Sequence, residues 1–251
     1  MLVGPSGCGK TVCVQSVSKS MPERPFFTFN LGATQDPRGY LIGNTHFSNI
    51  NGTYVVQSHF VHAIQQPNSI VLLDELSRGH YDAWNILMSV LDEKQKYLRI
   101  DEDPATPVIK VADGVCFVAT ANIGSEYTGT RVLDRGLSDR FPNMIEMAPL
   151  SFDDEWKLLK QEYPEHKSNI ILEQIARIAN ITRREVQSET GRIANMISTR
   201  MTKEMAGLVA DGFTLADIAE SCIYPFYSSQ GGVDSPRTFM KQVVQQYLKV
   251  D

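Results

Sequence analysis

The chain of 251 residues carries 42% hydrophobic and 21% charged residues with a formal net charge of −5, ordinary globular composition for one or two domains that excludes general disorder. The negative balance argues against a nucleic-acid partner, although it leaves room for a local basic site. Apolar runs such as Ile70–Leu73 fall far short of the roughly 20 residues a membrane span needs, and no basic segment leads into an apolar one at the N-terminus, so neither a membrane partner nor a secretory signal is expected. Cys8, Cys13, Cys116 and Cys222 show no CxxC pairing, which fits a reducing, cytoplasmic setting.

Leu2-Val3 reads as a short strand, and Gly4-Pro5-Ser6-Gly7-Cys8-Gly9-Lys10-Thr11 follows as a complete GxxxxGK[ST] loop opening a helical stretch, Lys10–Lys19. Glycines let such a loop curl so that its N–H groups converge on a phosphate at the helix N-terminus. Lys10 then reaches the β- and γ-phosphates, and the Thr11 hydroxyl ligates Mg²⁺. Further on, Pro25–Leu31, Ser69–Asp74, Gly114–Ala121 and Asn143–Met147 are apolar runs that read as strands buried on both faces of a parallel sheet. Helical stretches alternate with them, at His59–Gln65 and at Tyr81–Leu91, where Trp84, Leu87, Met88 and Leu91 share one face. Tyr97–Ile100 and Val108–Val111 read as a β-hairpin around Asp103–Pro107.

After Pro149 the strands stop. Ser151 caps a helix to about Tyr163, Leu172, Ile175, Ala176 and Ala179 mark a second, and Met201–Val209, Leu215–Cys222 and Thr238–Tyr247 mark three more. The expected fold class is therefore α/β, with a layered domain over residues 1–149 around a parallel sheet and a small all-α domain over residues 150–251.

Ile70-Val71-Leu72-Leu73 ends in Asp74-Glu75. The first carboxylate is expected beside the phosphate loop, holding Mg²⁺, and the second to polarise an attacking water. Asn122 follows the strand that ends at Ala121, where open α/β sheets bind ligands, and is expected to orient that water. Taken alone the signal is weak, because Asn after a strand is commonly a turn residue.

The ordered set GPSGCGKT, IVLLDE, ATAN and LSDRF resembles the AAA+ ATPases, and within them the MoxR group. Asp36–Gly43 resembles that group's segment before its helix-2 insert, Asn51-Gly52-Thr53-Tyr54 through Ile64 the insert and the helix after it, and the 97–111 hairpin the pre-sensor hairpin. Ile197-Ser198-Thr199-Arg200 and Met205–Asp211 resemble the rubisco- and nitric-oxide-reductase-activating members, whereas Phe29-Asn30-Leu31 and Tyr127–Thr130 resemble the small ATPase subunit of cobaltochelatase.

The resemblance implies a three-layer P-loop NTPase domain with a helical lid, ATP and Mg²⁺ as ligands, and a homo-oligomeric ring, most often a hexamer. It gives Lys10 and Thr11 to phosphate and Mg²⁺, Asp74 to Mg²⁺, Glu75 to general base and Asn122 to the first sensor. Arg140 matches an arginine finger presented to a neighbouring subunit, with Arg131 and Arg135 as close rivals, and Arg200 matches a second sensor on the lid. It also implies residues upstream of Met1 that complete the first strand and contact adenine.

On this reading the chain is an ATP-driven remodeller of a protein client, working with a von Willebrand A domain adaptor or in metalloenzyme maturation. The alternatives are the ATPase subunit of a cobaltochelatase-like complex and a nucleotide-binding scaffold with little turnover. His46, His59, His62, His80 and His166 are too dispersed for a metal site. Trp84 and Trp156 read as core, Arg183-Arg184 as a solvated face, and Phe47, Tyr54 and the hairpin around Pro104 as candidate pore residues.

Overall fold

The computed structural model describes residues 1–49, 52–101, 103, 106–122, 133–164 and 169–248. Arg131, Tyr127–Thr130, Pro104 and His166 lie outside the described residues. The chain divides into two compact units, residues 1–5 with 10–147 and residues 6–9 with 148–251.

The first unit runs β1 (Leu2–Val3), α1 (Lys10–Lys19), β2 (Phe26–Asn30), α2 (Pro37–Leu41), β3 (Gly43–Ser48), β4 (Gly52–Gln57), α3 (His59–Ile64), β5 (Ile70–Asp74), a 3₁₀ turn at Leu76–Arg78, α4 (Tyr81–Leu91), β6 (Tyr97–Arg99), β7 (Val108–Lys110), β8 (Cys116–Ala121), α5 (Arg135–Ser138) and β9 (Ile145–Glu146). Five strands form a parallel sheet in the order β2-β5-β8-β1-β9. Interior strand β5 is buried from Ile70 to Leu73, as its continuous apolar run requires. The expectation of burial on both faces fails for β2, where only Phe29 is buried, for β9, which is exposed, and for the first half of β8, which is buried only from Ala119 to Ala121. β2 and β9 are edge strands, where cover by neighbouring elements runs out. The core gathers Leu31, Phe60, Ile64, Leu73, Leu87 and Leu98. Trp84 joins it as expected, its Nε1 donating to the Leu76 carbonyl at 2.9 Å.

The hairpin β6–β7 forms where its alternation predicts. A second antiparallel hairpin, β3–β4, does not follow the sequence reading, which assigns residues 51–64 to an insert and a helix without separating a strand. The structure gives β4 to the first half and starts α3 only after Ser58, whose side chain accepts from the Val61 N–H at 3.2 Å.

The regular structure of the second unit, among its described residues, is helical: α6 (Phe152–Glu162), α7 (Asn169–Gln187), α8 (Thr199–Ala210), α9 (Leu215–Ile218) and α10 (Pro236–Leu248), with an irregular stretch over 188–198 between α7 and α8. Ser151 caps α6, Ser198 caps α8, and Thr214 with Asp217 forms a capping box on α9. The helix expected over 215–222 instead passes into a π turn at 219–223 and a 3₁₀ turn at 224–226. Leu159, Ile175, Ala206, Ile218 and Met240 belong to this unit's own core, and Trp156 packs partly buried against it.

Arg183 is buried at 3% exposure, not part of a solvated face, while Arg184 beside it is exposed. α7 extends well past Ala179, and Ala176, Ala179 and Arg183 recur at the spacing of one inward stripe.

Candidate active site

The site is built from the carboxyl ends of β1, β5 and β8, each continuing a strand whose apolar residues anchor it in the sheet. After β1 the backbone turns through Gly7 (φ 76°) and Gly9 (φ 93°), left-handed values that a side chain would strain. Lys10 then opens α1, whose first turn carries no acid to compete with a bound anion. The Lys10 side chain is 9% exposed, and its Nζ donates to the Gly4 carbonyl at 2.8 Å, the Pro5 carbonyl at 2.7 Å and the Asn122 Oδ1 at 2.7 Å. Asn122 is held in turn by its backbone N–H, which donates to the buried Ser77 hydroxyl at 3.1 Å.

The acid pair is joined to the same centre. The Thr11 hydroxyl donates to Asp74 Oδ1 at 2.9 Å, and the Thr120 hydroxyl donates to the same oxygen at 2.5 Å. Thr120 Oγ1 also accepts the Glu75 N–H at 3.0 Å. Glu75 adopts φ 55° and ψ 40°, a left-handed conformation at the end of β5 that costs a non-glycine residue about 1–2 kcal/mol. Its carboxylate sits 3.8 Å from Arg78 and packs over Gly32, where a Cβ would fall 2.5 Å from Glu75 Oε2. The two carboxylates therefore serve different places, Asp74 turned to Thr11 and Glu75 toward the segment after β2.

Thr11 and Asp74 supply adjacent hard oxygens, the donor chemistry that Mg²⁺ prefers. Among the described residues no group of three or more His, Cys, Asp or Glu could hold a metal. A phosphate-bound Mg²⁺ needs no such cage, since one or two protein oxygens suffice.

Sequence reasoning passed over Thr120, Ser77 and Gly32. A hydroxyl ending an otherwise apolar strand was the available signal for Thr120, because a buried hydroxyl needs a partner; for Ser77 and Gly32 no local signal existed.

The candidate arginines are placed differently from one another. Arg140 is tied within its own unit, with Nε donating to the Met88 carbonyl at 2.8 Å, one terminal nitrogen to the Gly136 carbonyl at 2.7 Å and the other to Asp92 Oδ2 at 3.2 Å. It thereby caps the carboxyl end of α4. Arg135 is exposed in α5, and Arg200 is exposed in the first turn of α8.

The family described as AAA domain (dynein-related subfamily) matches residues 1–141. The protein named "Putative chaperone BssE" of Thauera aromatica is 32% identical over 219 residues, covering 86% of this chain and 71% of that protein. The mitochondrial Lon protease homolog of Eremothecium gossypii is 31% identical over 173 residues, 64% of this chain and 14% of its own length. The chaperone protein ClpB of Yersinia enterocolitica is 27% identical over 169 residues, 61% of this chain and 18% of ClpB. The chain thus spans most of BssE but less than a fifth of the Lon homolog and of ClpB.

Proposed function

The chain belongs to the AAA domain family, dynein-related subfamily, which implies ATPase activity, and on that premise we propose that it hydrolyses ATP to remodel a partner protein. The observation that carries this reading is a pair of hydrogen-bonded groups, Asn122–Lys10 and Thr11–Asp74–Thr120–Glu75, gathered at the ends of three strands. Their side chains are the kinds that would bind phosphate, hold Mg²⁺ and activate a water. The likeness to two proteins named as chaperones supports a protein client.

In this reading the loop 4–11 cradles the phosphates, and the Lys10 ammonium draws charge from the β- and γ-oxygens. Thr11 and Asp74 would hold Mg²⁺, which would supply neutralising charge for those oxygens. Glu75 accepts a proton from the attacking water, and the Asn122 amide, braced by Ser77, orients that water against the γ-phosphate. A planar cation is then required where charge develops on the transferring phosphoryl group, which an arginine finger meets with about 10³–10⁵ in kcat. We assign that role to the segment bearing Arg135 and Arg140, acting on a neighbouring subunit in a ring, taken as a hexamer, and assign Arg200 to the γ-phosphate from the lid domain, residues 150–251. The motif resemblance favours a MoxR-type activator, working with a von Willebrand A adaptor or in metalloenzyme maturation.

The test is the ATPase rate per subunit across a concentration series, with the Glu75→Gln protein as blank and Lys10→Ala alongside. A rate that climbs with concentration, vanishes in Glu75→Gln with ATP binding intact, and is accompanied by loss of binding in Lys10→Ala is the expected result. Equal loss of binding in both variants would overturn the division of roles, and a rate independent of concentration would overturn the ring.

A further inference from the structure

Among the described residues of the second unit, the most thoroughly buried ion pair has no part in the site described above. Glu155 of α6 is 0% exposed and Arg183 of α7 is 3% exposed. One Arg183 terminal nitrogen donates to Glu155 Oε2 at 2.9 Å and to the Leu150 carbonyl at 2.8 Å, Nε to the Ile197 carbonyl at 3.3 Å, and the other terminal nitrogen to Thr199 Oγ1 at 3.3 Å. The Thr199 hydroxyl donates to Glu155 Oε2 at 2.9 Å, and the Thr202 hydroxyl donates to Glu155 Oε1. On the other side of the same segment, the Ile197 N–H donates to Thr182 Oγ1 at 2.9 Å. Residues 197–199 are thus held at an N–H, a carbonyl, the Ser198 cap and a side-chain hydroxyl.

A buried ion pair commonly adds little net stability compared with apolar residues of the same volume; what it fixes is register. The register fixed here is that of the first turn of α8 against α6 and α7. The next residue along is Arg200, exposed, at a helix N-terminus where the dipole opposes a cation. Helix stability gives no reason for an arginine there, and packing gives none either.

We propose that Glu155, Arg183 and Thr199 are positioning residues for ATP turnover, acting by fixing the point from which Arg200 projects. The inference rests on the assignment of Arg200 to the γ-phosphate.

The test is a double-mutant cycle on the full chain, with kcat and KM for ATP measured for Thr199→Val, Thr199→Ser, Arg200→Ala and the Thr199→Val/Arg200→Ala pair. Thr199→Val should lower kcat about tenfold, within the roughly 10²-fold that a 1 Å misplacement can cost, while Thr199→Ser keeps the hydroxyl and the rate. In the Arg200→Ala background Thr199→Val should have no further effect, because coupled residues are not additive. An unchanged kcat in folded Thr199→Val, or the same drop in both backgrounds, would overturn the proposal while the Arg200 assignment stands. An Arg200→Ala protein with unaltered turnover would overturn the assignment itself. If Thr199→Val does not fold, Arg183→Lys repeats the cycle, keeping the charge but losing the fork; failure of both to fold gives the network to stability alone and also overturns it.

Discussion

Glu75 shows how much of this site depends on single residues acting on one another. Its left-handed backbone is held by an N–H bond to Thr120 Oγ1, and its carboxylate has room only because residue 32 has no side chain. Gly32→Ala therefore is expected to push the Glu75 carboxylate aside and to press on the Cβ atoms of Arg78 and Glu75, 3.0 and 3.2 Å from the added methyl. Proton abstraction from water depends on hydrogen-bond geometry, so kcat should fall by about tenfold or more while ATP affinity is retained. Turnover and equilibrium ATP binding, measured together, check this, and loss of affinity in parallel with kcat would place Gly32 in binding instead. The acid pair was legible from Asp74-Glu75 ending an apolar run. The glycine opposite it was not, because only the pairing of β2 with β5 brings residue 32 within reach.

At the scale of elements, the Ser151 cap was legible, whereas the caps at Ser58, Ser198 and Thr214 and the exposure of the edge strands were not. Ser151 starts α6 as its position before an acidic first turn predicts. The Thr214–Asp217 capping box starts the short α9. Hydrogen bonds from the Thr214 hydroxyl and the Thr214 N–H hold the Asp217 carboxyl below its ordinary pKa. A group with a depressed folded-state pKa contributes stability above its unfolded value and loses it as pH falls through the folded one. The melting-temperature difference between the natural chain and Asp217→Asn should therefore be constant above about pH 5 and shrink below about pH 4, which melts across that range would test. Arg183 escaped the sequence reading for a matching reason. Two adjacent arginines look solvated until the helix is known to run on past Ala179, and then one of them faces inward to Glu155.

At the scale of the whole molecule, the proposed ring gives two described candidates for the arginine presented to a neighbouring subunit, Arg135 and Arg140. Arg140 already binds Met88, Gly136 and Asp92, so Arg140→Ala should cost stability as well as any turnover, by about 1–3 kcal/mol for the partners left unmade. Arg135 is exposed, and Arg135→Ala should leave the melting temperature nearly unchanged. If Arg135 is the finger, its variant alone will lose turnover at full stability. If Arg140 is, its variant will lose turnover beyond what the shift in stability explains. Paired melting curves and ATPase rates at ring-forming concentration separate the two.

The sequence by itself determined the phosphate loop, the acid pair, the alternation of strands and helices and the change to an all-helical second half, because each is local: spacing, caps and periodicity act within a few residues. Only the tertiary structure decided that Thr120 bridges Asp74 and Glu75, that Gly32 makes room for the Glu75 carboxylate, that Arg140 caps α4 and that Arg183 is buried against Glu155. Those partners lie between 28 and 52 residues apart along the chain or meet only across paired strands, and no pattern of near neighbours records which of them will touch.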